Sequence, residues 1–205
     1  MDRPALLPTA YLPPVGYMQV LLSHESAEIE FMETYRKQTI RNHCRIYGPN
    51  GLQKLTIPVE KPSGNHTLTR DVRISSHEPW QRSHWRSIET AYNNSPFFLF
   101  YCDHFSPFFQ KNYSFLVDFN LALLEKVLSV LRKQVEIRPT SHFQKIPFLS
   151  GDYRTYDFSG SHLEIFPVKH YFQAFEPSHG FIPDLSVLDL LCNIGPETLS
   201  YLKGN

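Results

Sequence analysis

Between Tyr35 and Val59 lie five Lys/Arg residues (Arg36, Lys37, Arg41, Arg45 and Lys54) and no Asp or Glu. Just before them, HESAEIEFME carries four glutamates in ten residues, in a chain whose formal net charge is zero. A local reversal of that size marks a site rather than a general affinity for polyanions. Lys37, Arg41, His43 and Arg45 have the chemistry to grip a phosphate or carboxylate, Arg through bidentate bonds and Lys as a point charge. The competing reading is a solvated basic face, or one neutralised by Glu28, Glu30 and Glu33.

Two further groups have catalytic chemistry. Trp80, His84 and Ile88 recur every four residues and so share a helix face. His84 there is a candidate general acid/base beside a stacking ring, although the same pattern fits a histidine bonded within a core. Cys102 and His104 would share a face if their segment is a strand, as a thiol nucleophile and its base. The ten histidines are scattered, and Cys44, Cys102 and Cys192 lack CxxC spacing. Neither a metal site nor a disulfide framework is encoded, and no cofactor is implied.

The elements that must hold these residues are short. Ala5–Ala10 reads as a strand, Tyr11–Gly16 as a rigid turn, Tyr17–Leu22 as a helix and Glu28–Met32 as a second strand, the outline of a βαβ unit. A turn before a helix can hold anions on free N–H groups, or it can be purely structural. Its topology is analogous to the opening unit of HIGH-type nucleotidyltransferases, but His-x-Gly-His is missing. Asn50-Gly51 predicts a hairpin of Arg41–Tyr47 with Leu52–Val59, whose pleat would send Arg41, His43, Arg45 and Tyr47 to one face. Ser75 or Ser76 is a candidate cap for a helix reaching Tyr92, with Pro79 in its first turn. Phe97–Phe109 reads as a strand followed by a proline turn. Tyr113–Gln134 is a helix with a buried stripe of Leu116, Phe119, Leu123, Val127 and Leu131. Residues 139–162 read as an irregular excursion, 163–175 as a strand, and 185–192 and 195–204 as helices. Asp184 or Ser186 can cap the first of these.

With 205 residues, 41% apolar and 14% aromatic, the expectation is one α/β domain spanning 1–205, with a small mixed sheet flanked by helices. No apolar window is long enough to span a membrane. The prolines of MDRPALLPTAYLPP interrupt what a signal peptide needs, so a cytoplasmic location is expected. Outside the basic stretch the charges are mixed, which argues against nucleic acid as a partner. The apolar terminal helices offer a surface for a homodimer.

Four ordered stretches carry a resemblance: YLPPVGY, YRKQTIRNH followed by GLQKLTIPV, EPWQRSHWRSIETAYNNSPFF, and GFIPDLSVLDLL. Together they resemble the WbqC-like family, over Tyr11 to about Tyr113 and again from Tyr171 to Leu202. That family takes its name from genes of bacterial surface-polysaccharide (O-antigen) clusters. The resemblance implies site positions at Tyr11, Tyr17, Glu33, Lys37, Gln38, Arg41, Asn42, Trp80 and His84. The chain departs from it with Thr9-Ala10 where many members have Gln-Pro, and with His43 where many have Arg, which replaces a permanent charge by a titratable one. The implied function is a transferase acting on an activated, phosphate-bearing sugar, such as a nucleotide-sugar, or a related intermediate of lipopolysaccharide assembly. In that reading Tyr11, Tyr17, Lys37, Arg41, Asn42, His43 and Trp80 hold the anionic substrate, and His84 or Glu33 accepts a proton. A non-catalytic ligand-binding or accessory protein of the same pathway is the alternative.

Overall fold

The computed structural model describes residues 4–60, 66–143, 145, 151–156, 158 and 168–204. Its opening is the βαβ unit. β1 (Ala5–Pro8) and β2 (Ser26–Glu30) pair in parallel, Ala5 opposite Ala27, around α1 (Val15–Leu22). All residues of α1 from Val15 to Leu21 are buried, as expected of a helix apolar on every side. β5 (Glu136–Pro139) adds to the other edge of β2, again in parallel, giving the order β1-β2-β5.

The hairpin forms a separate antiparallel sheet. β3 (His43–Gly48) pairs with β4 (Gly51–Thr56) around Pro49-Asn50, with Gly48 opposite Gly51 and Arg45 opposite Lys54. β3 starts two residues later than the pattern suggested. Arg41 and Asn42 belong to a turn in which the N–H groups of Asn42 and His43 both donate to the Thr39 carbonyl. The pleat therefore does not extend to Arg41, which leaves the face shared by His43 and Arg45.

Helices cover the two sheets. α2 (Trp80–Tyr92) begins directly after Pro79, and no side chain caps it. Ser75 instead accepts from the His77 N–H. Residues 97–109 are helical, not extended: α3 (Phe98–Phe105) runs into a 3-10 turn, Ser106–Phe109. Its buried ends, Phe98 and Phe105, are seven residues apart, two helical turns, a spacing hidden within an aromatic-rich stretch. α4 (Leu116–Val130) buries the predicted stripe from Leu116 through Leu131. Residues 168–175 form no strand, and 163–167 lie outside the described residues. The C-terminal part holds the short α5 (Glu176–His179), then α6 (Val187–Ile194), capped by Ser186 through the Leu188 N–H, and α7 (Thr198–Leu202). The fold is thus an α/β domain with a three-stranded parallel sheet and a two-stranded antiparallel one, flanked by helices.

Candidate functional site

The turn before α1 is fixed from the far end of the chain. Val15 N–H donates to the Leu185 carbonyl at 3.0 Å and Gly16 N–H to Asp184 Oδ1 at 2.9 Å. The anion that a helix N-terminus attracts is here the protein's own Asp184 carboxylate. Around that junction lies a cavity of about 290 Å³. Leu12 and Pro14 form one wall, Gln38 and Ile40 another. The hairpin contributes His43, Arg45 and Lys54, and the 184–186 turn contributes Asp184 and Ser186, beside Phe158.

Three features set this lining apart. First, Arg45 and Lys54 are directly opposed in the hairpin ladder, an arrangement in which like charges repel. Arg45 Nη2 donates to the carbonyls of Pro183 and Asp184, each at 3.1 Å, and Lys54 is exposed. Second, the buried His43 has no hydrogen-bond partner at Nδ1 among the described residues. Burial and the Lys54 charge lower its pKa, opposed by a hydrogen bond with the Gln38 backbone, so near neutral pH the ring is an uncharged acceptor. Third, Leu12 (φ 42°), Gln38 (φ 56°) and Asp184 (φ 55°) adopt left-handed backbone. Among the described residues, Arg132 is the one other non-glycine with positive φ. Such outliers collect at functional sites because folding alone gives no reason to keep them.

Behind the cavity lies a layer whose side-chain donors are engaged, although Asn42 Oδ1 and Asn120 Oδ1 find no partner among the described residues. The Tyr11 hydroxyl and His84 Nδ1 are 2.9 Å apart. Trp80 meets His84 edge-on at 5.1 Å, and Phe119 packs against both Tyr11 and Trp80. Burial lowers the His84 pKa to about 4, against a hydrogen bond with the Thr56 backbone. The Tyr17 hydroxyl donates to the Pro8 carbonyl and Asn42 Nδ2 to the Ile57 carbonyl. Asn120 Nδ2 bridges Thr9 Oγ1 and the Arg41 carbonyl.

Two of the four glutamates of 24–33, Glu30 and Glu33, find their partners at the carboxyl end of the parallel sheet. Arg41 meets Glu33 through Nε at 2.7 Å and Nη2 at 2.5 Å, both groups being buried. Burial raises the Glu33 carboxyl above its ordinary value, with Arg41 limiting the shift. Arg154 joins Glu30 at 2.8 Å and Asp152 at 2.7 Å, and Thr140 Oγ1 donates to Glu30 at 2.7 Å. Arg154 comes from the segment read as an irregular excursion, and nothing in its local sequence marked it.

Of the residues expected at a site, the structure brings Tyr11, Trp80 and His84 into one buried contact, and Glu33 and Arg41 into another. His43 lines the cavity. Lys37 is exposed, and its neighbour Gln38 lines the cavity in its place. Lys54 and Asp184 were missed as site residues, though the Lys54–Arg45 pairing follows from a two-residue turn at Pro49-Asn50. Cys102 and His104 sit on helix α3 about 200° apart, which removes the shared face a dyad needs. The Cys102 thiol donates instead to the Leu99 carbonyl and to Asp103. Among the described residues, no group of three or more His, Cys, Asp or Glu is placed to hold a metal ion, and no helix is long and apolar enough to cross a membrane.

The cavity draws its walls from three of the stretches singled out above: YLPPVGY, YRKQTIRNH with GLQKLTIPV, and GFIPDLS. Residues 9–152 match the WbqC-like protein family. The chain belongs to that family. It is also similar to the uncharacterized protein Rv1507c of Mycobacterium tuberculosis, with 25% identity over 228 residues covering 99% of this chain and 98% of the relative. No solved structure matches it significantly. In this WbqC-like chain, then, three of the four stretches that carried the resemblance meet around one small cavity, and the fourth supplies Trp80 and His84 to the layer behind it.

Proposed function

We propose that this WbqC-like chain is a transferase-like biosynthetic protein. Its substrate is the anionic end of an activated, phosphate-bearing sugar, such as a nucleotide-sugar, or a related intermediate of bacterial surface-polysaccharide assembly in the cytoplasm. The observation that carries this reading is the opposed pair Arg45 and Lys54 beside His43 at a cavity with three left-handed non-glycine residues. An anion beside Lys54 and Arg45 forms charge-assisted bonds with both.

In this reading, Lys54 and Arg45 hold the phosphate. The attacking hydroxyl or amine bonds the sugar carbon and passes its proton to His43, whose buried Nδ1 must turn toward the cavity to take it; the departing phosphate keeps the pair of the broken sugar–phosphate bond and stays on the cations. Tyr11 with His84, and Glu33 with Arg41, act one layer back by fixing the walls. A second reading, a non-catalytic binding or accessory protein, has its own support: His84 and Glu33 are both engaged by protein groups.

A thermal-shift screen of nucleotide-sugars, nucleotides and acyl donors tests the site. A ligand at ~100 Kd stabilises by ~2.7 kcal/mol, and Lys54→Ala is expected to abolish the shift. Turnover of that ligand by the wild type, reduced ~10²–10⁴-fold in His43→Gln with binding retained, supports the enzyme. Binding without product from any donor favours the accessory reading. No shift with any of these ligands overturns the phosphate site.

A further inference from the structure

A second cavity, of about 880 Å³, lies between α3, the end of α4 and the 195–199 turn. Its volume falls in the range of pockets that hold whole small ligands, roughly 300–1,000 Å³. One wall is aromatic. Phe100 is 72% exposed, so its ring has little cover from the protein, and Tyr101 stands beside it in the lining. The other wall is cationic, with Lys126, Arg132 and Lys133 and, among the described residues, no carboxylate. The turn closing the cavity requires glycine: a Cβ on Gly195, whose φ is 52°, would sit 2.5 Å from the Phe97 ring.

Arg132 is the residue that a structural account leaves unexplained. It adopts left-handed backbone (φ 53°) just past α4, and the next N–H, of Lys133, reaches back to the Leu128 carbonyl. This is the helix-ending turn in which glycine is the unstrained choice. Basic residues near a helix C-terminus do complement the macrodipole, but that benefit does not require an arginine at the strained position itself. Lys133 is further crowded by Lys203, whose hydrogen bond and charge lower its pKa.

We propose that this cavity binds a nucleoside diphosphate, the base stacked on Phe100 and Tyr101 and the diphosphate held by Lys126, Arg132 and Lys133. A planar aromatic ligand uses the uncovered ring, two adjacent phosphates use the clustered cations, and the concave shape suits a small molecule better than a flat bilayer. The inference does not depend on the first cavity.

Calorimetric titration of the full chain with UDP, GDP and inorganic pyrophosphate tests it. The wild type is expected to bind at least one nucleoside diphosphate about tenfold more tightly than pyrophosphate, the share due to stacking. Arg132→Gly suits the left-handed backbone, so its melting temperature should hold or rise while its affinity for both ligands falls about tenfold. Phe100→Ala, at an exposed position, should lower only the nucleoside diphosphate, to the level of pyrophosphate. Absence of binding, equal affinity for pyrophosphate and nucleoside diphosphate in the wild type, or binding unchanged by both substitutions overturns the proposal. Loss of binding in Lys54→Ala alone would move the ligand to the first cavity. Capture on phosphatidylglycerol vesicles, lost in Phe100→Ala and without nucleotide binding, would make the groove a membrane surface. Each of these last two outcomes also overturns the proposal.

Discussion

The first cavity and the layer behind it use similar residue types to opposite ends. In the layer, Tyr11 meets His84, Arg41 meets Glu33 and Asn120 bridges two neighbouring segments. In the cavity lining, two cations face each other, His43 Nδ1 has no partner among the described residues and three non-glycine residues take left-handed backbone. The layer pairs its charged groups and its side-chain donors, as burial demands, and leaves only the oxygens of Asn42 and Asn120 without a partner among the described residues. The lining goes against that preference at several points at once, which is expected where function sets the residues. Substitutions in the layer should therefore lower stability, whereas those in the lining should leave stability intact and remove ligand binding.

The largest effect is expected in the layer at Arg41→Met, which leaves the buried Glu33 carboxylate without its guanidinium. Breaking a buried ion pair from one side costs ~3–5 kcal/mol, readable as a lower denaturation midpoint in urea. The double substitution Glu33→Leu with Arg41→Met should recover much of that loss, because no charge then remains uncompensated. If the single substitution is neutral, the pair is not a structural element of the layer.

Two buried groups pull the pH dependence in opposite directions. His84 has a pKa of about 4, below its ordinary 6.5, so the unfolded chain binds the proton more readily. Its contribution is full above pH 6.5 and is lost as pH falls toward 4. Asp189, held by Tyr171 and Gln173, is raised by burial to about 6 from 3.8. There the folded state keeps the proton, and stability falls as pH rises from about 4 to 6. Each shift corresponds to about 3 kcal/mol, so the two largely offset between pH 4 and 6. His84→Gln should expose a stability that declines with rising pH, and Asp189→Asn one that climbs, in denaturant midpoints measured across that window. Parallel profiles for the two variants would contradict both assignments.

Much of the layer's scaffold was legible in the sequence, while the details of the lining were not. The proline-rich turn between two short apolar runs reads directly as the βαβ opening, Asn50-Gly51 as the hairpin, and the 116–131 stripe as α4. The face presented by Arg41 depended on where β3 begins, and a difference of two residues moved it from the cavity to Glu33. Phe97–Phe109 misled because a stretch dense in aromatics satisfies both periodicities, and only the Phe98–Phe105 interval favours a helix. The Arg154–Glu30 bond spans 124 residues, and no local pattern encodes such a contact. Left-handed backbone at Leu12 and Gln38 was hidden for a related reason, since propensity gives these residue types little reason to adopt it, while Asp184 is of a type that visits it only occasionally.

At Lys54 the comparison predicts a reversal of sign. Cross-strand pairs are worth ~0.2–1 kcal/mol, and like charges directly opposed are unfavourable. Lys54→Ala should therefore hold or slightly raise the melting temperature in ligand-free protein at low salt, and the gain should shrink as salt screens the Arg45 charge. A clear loss of stability would mean that the Lys54 stem serves the fold, and the lining would lose its best evidence of functional selection.

The smallest stability effect is expected at Gln38. Its φ of 56° is strained for a side chain with a Cβ, by roughly 1–2 kcal/mol, and glycine removes that strain. Glycine also gives the unfolded chain more freedom, which costs the folded state ~0.4–1 kcal/mol. The two nearly cancel, so Gln38→Gly should shift stability by about 1 kcal/mol or less, most plainly seen as an almost unchanged urea midpoint. Binding is where the comparison sharpens. Gln38 also holds the His43 ring through its backbone, and glycine keeps that carbonyl while removing only the side chain from the cavity. Weaker ligand binding at unchanged stability would show that the glutamine is kept in strained backbone for what its amide contacts. If binding and stability both stay level, the strain at 38 is incidental, and the argument for the cavity would rest on Arg45, Lys54 and His43.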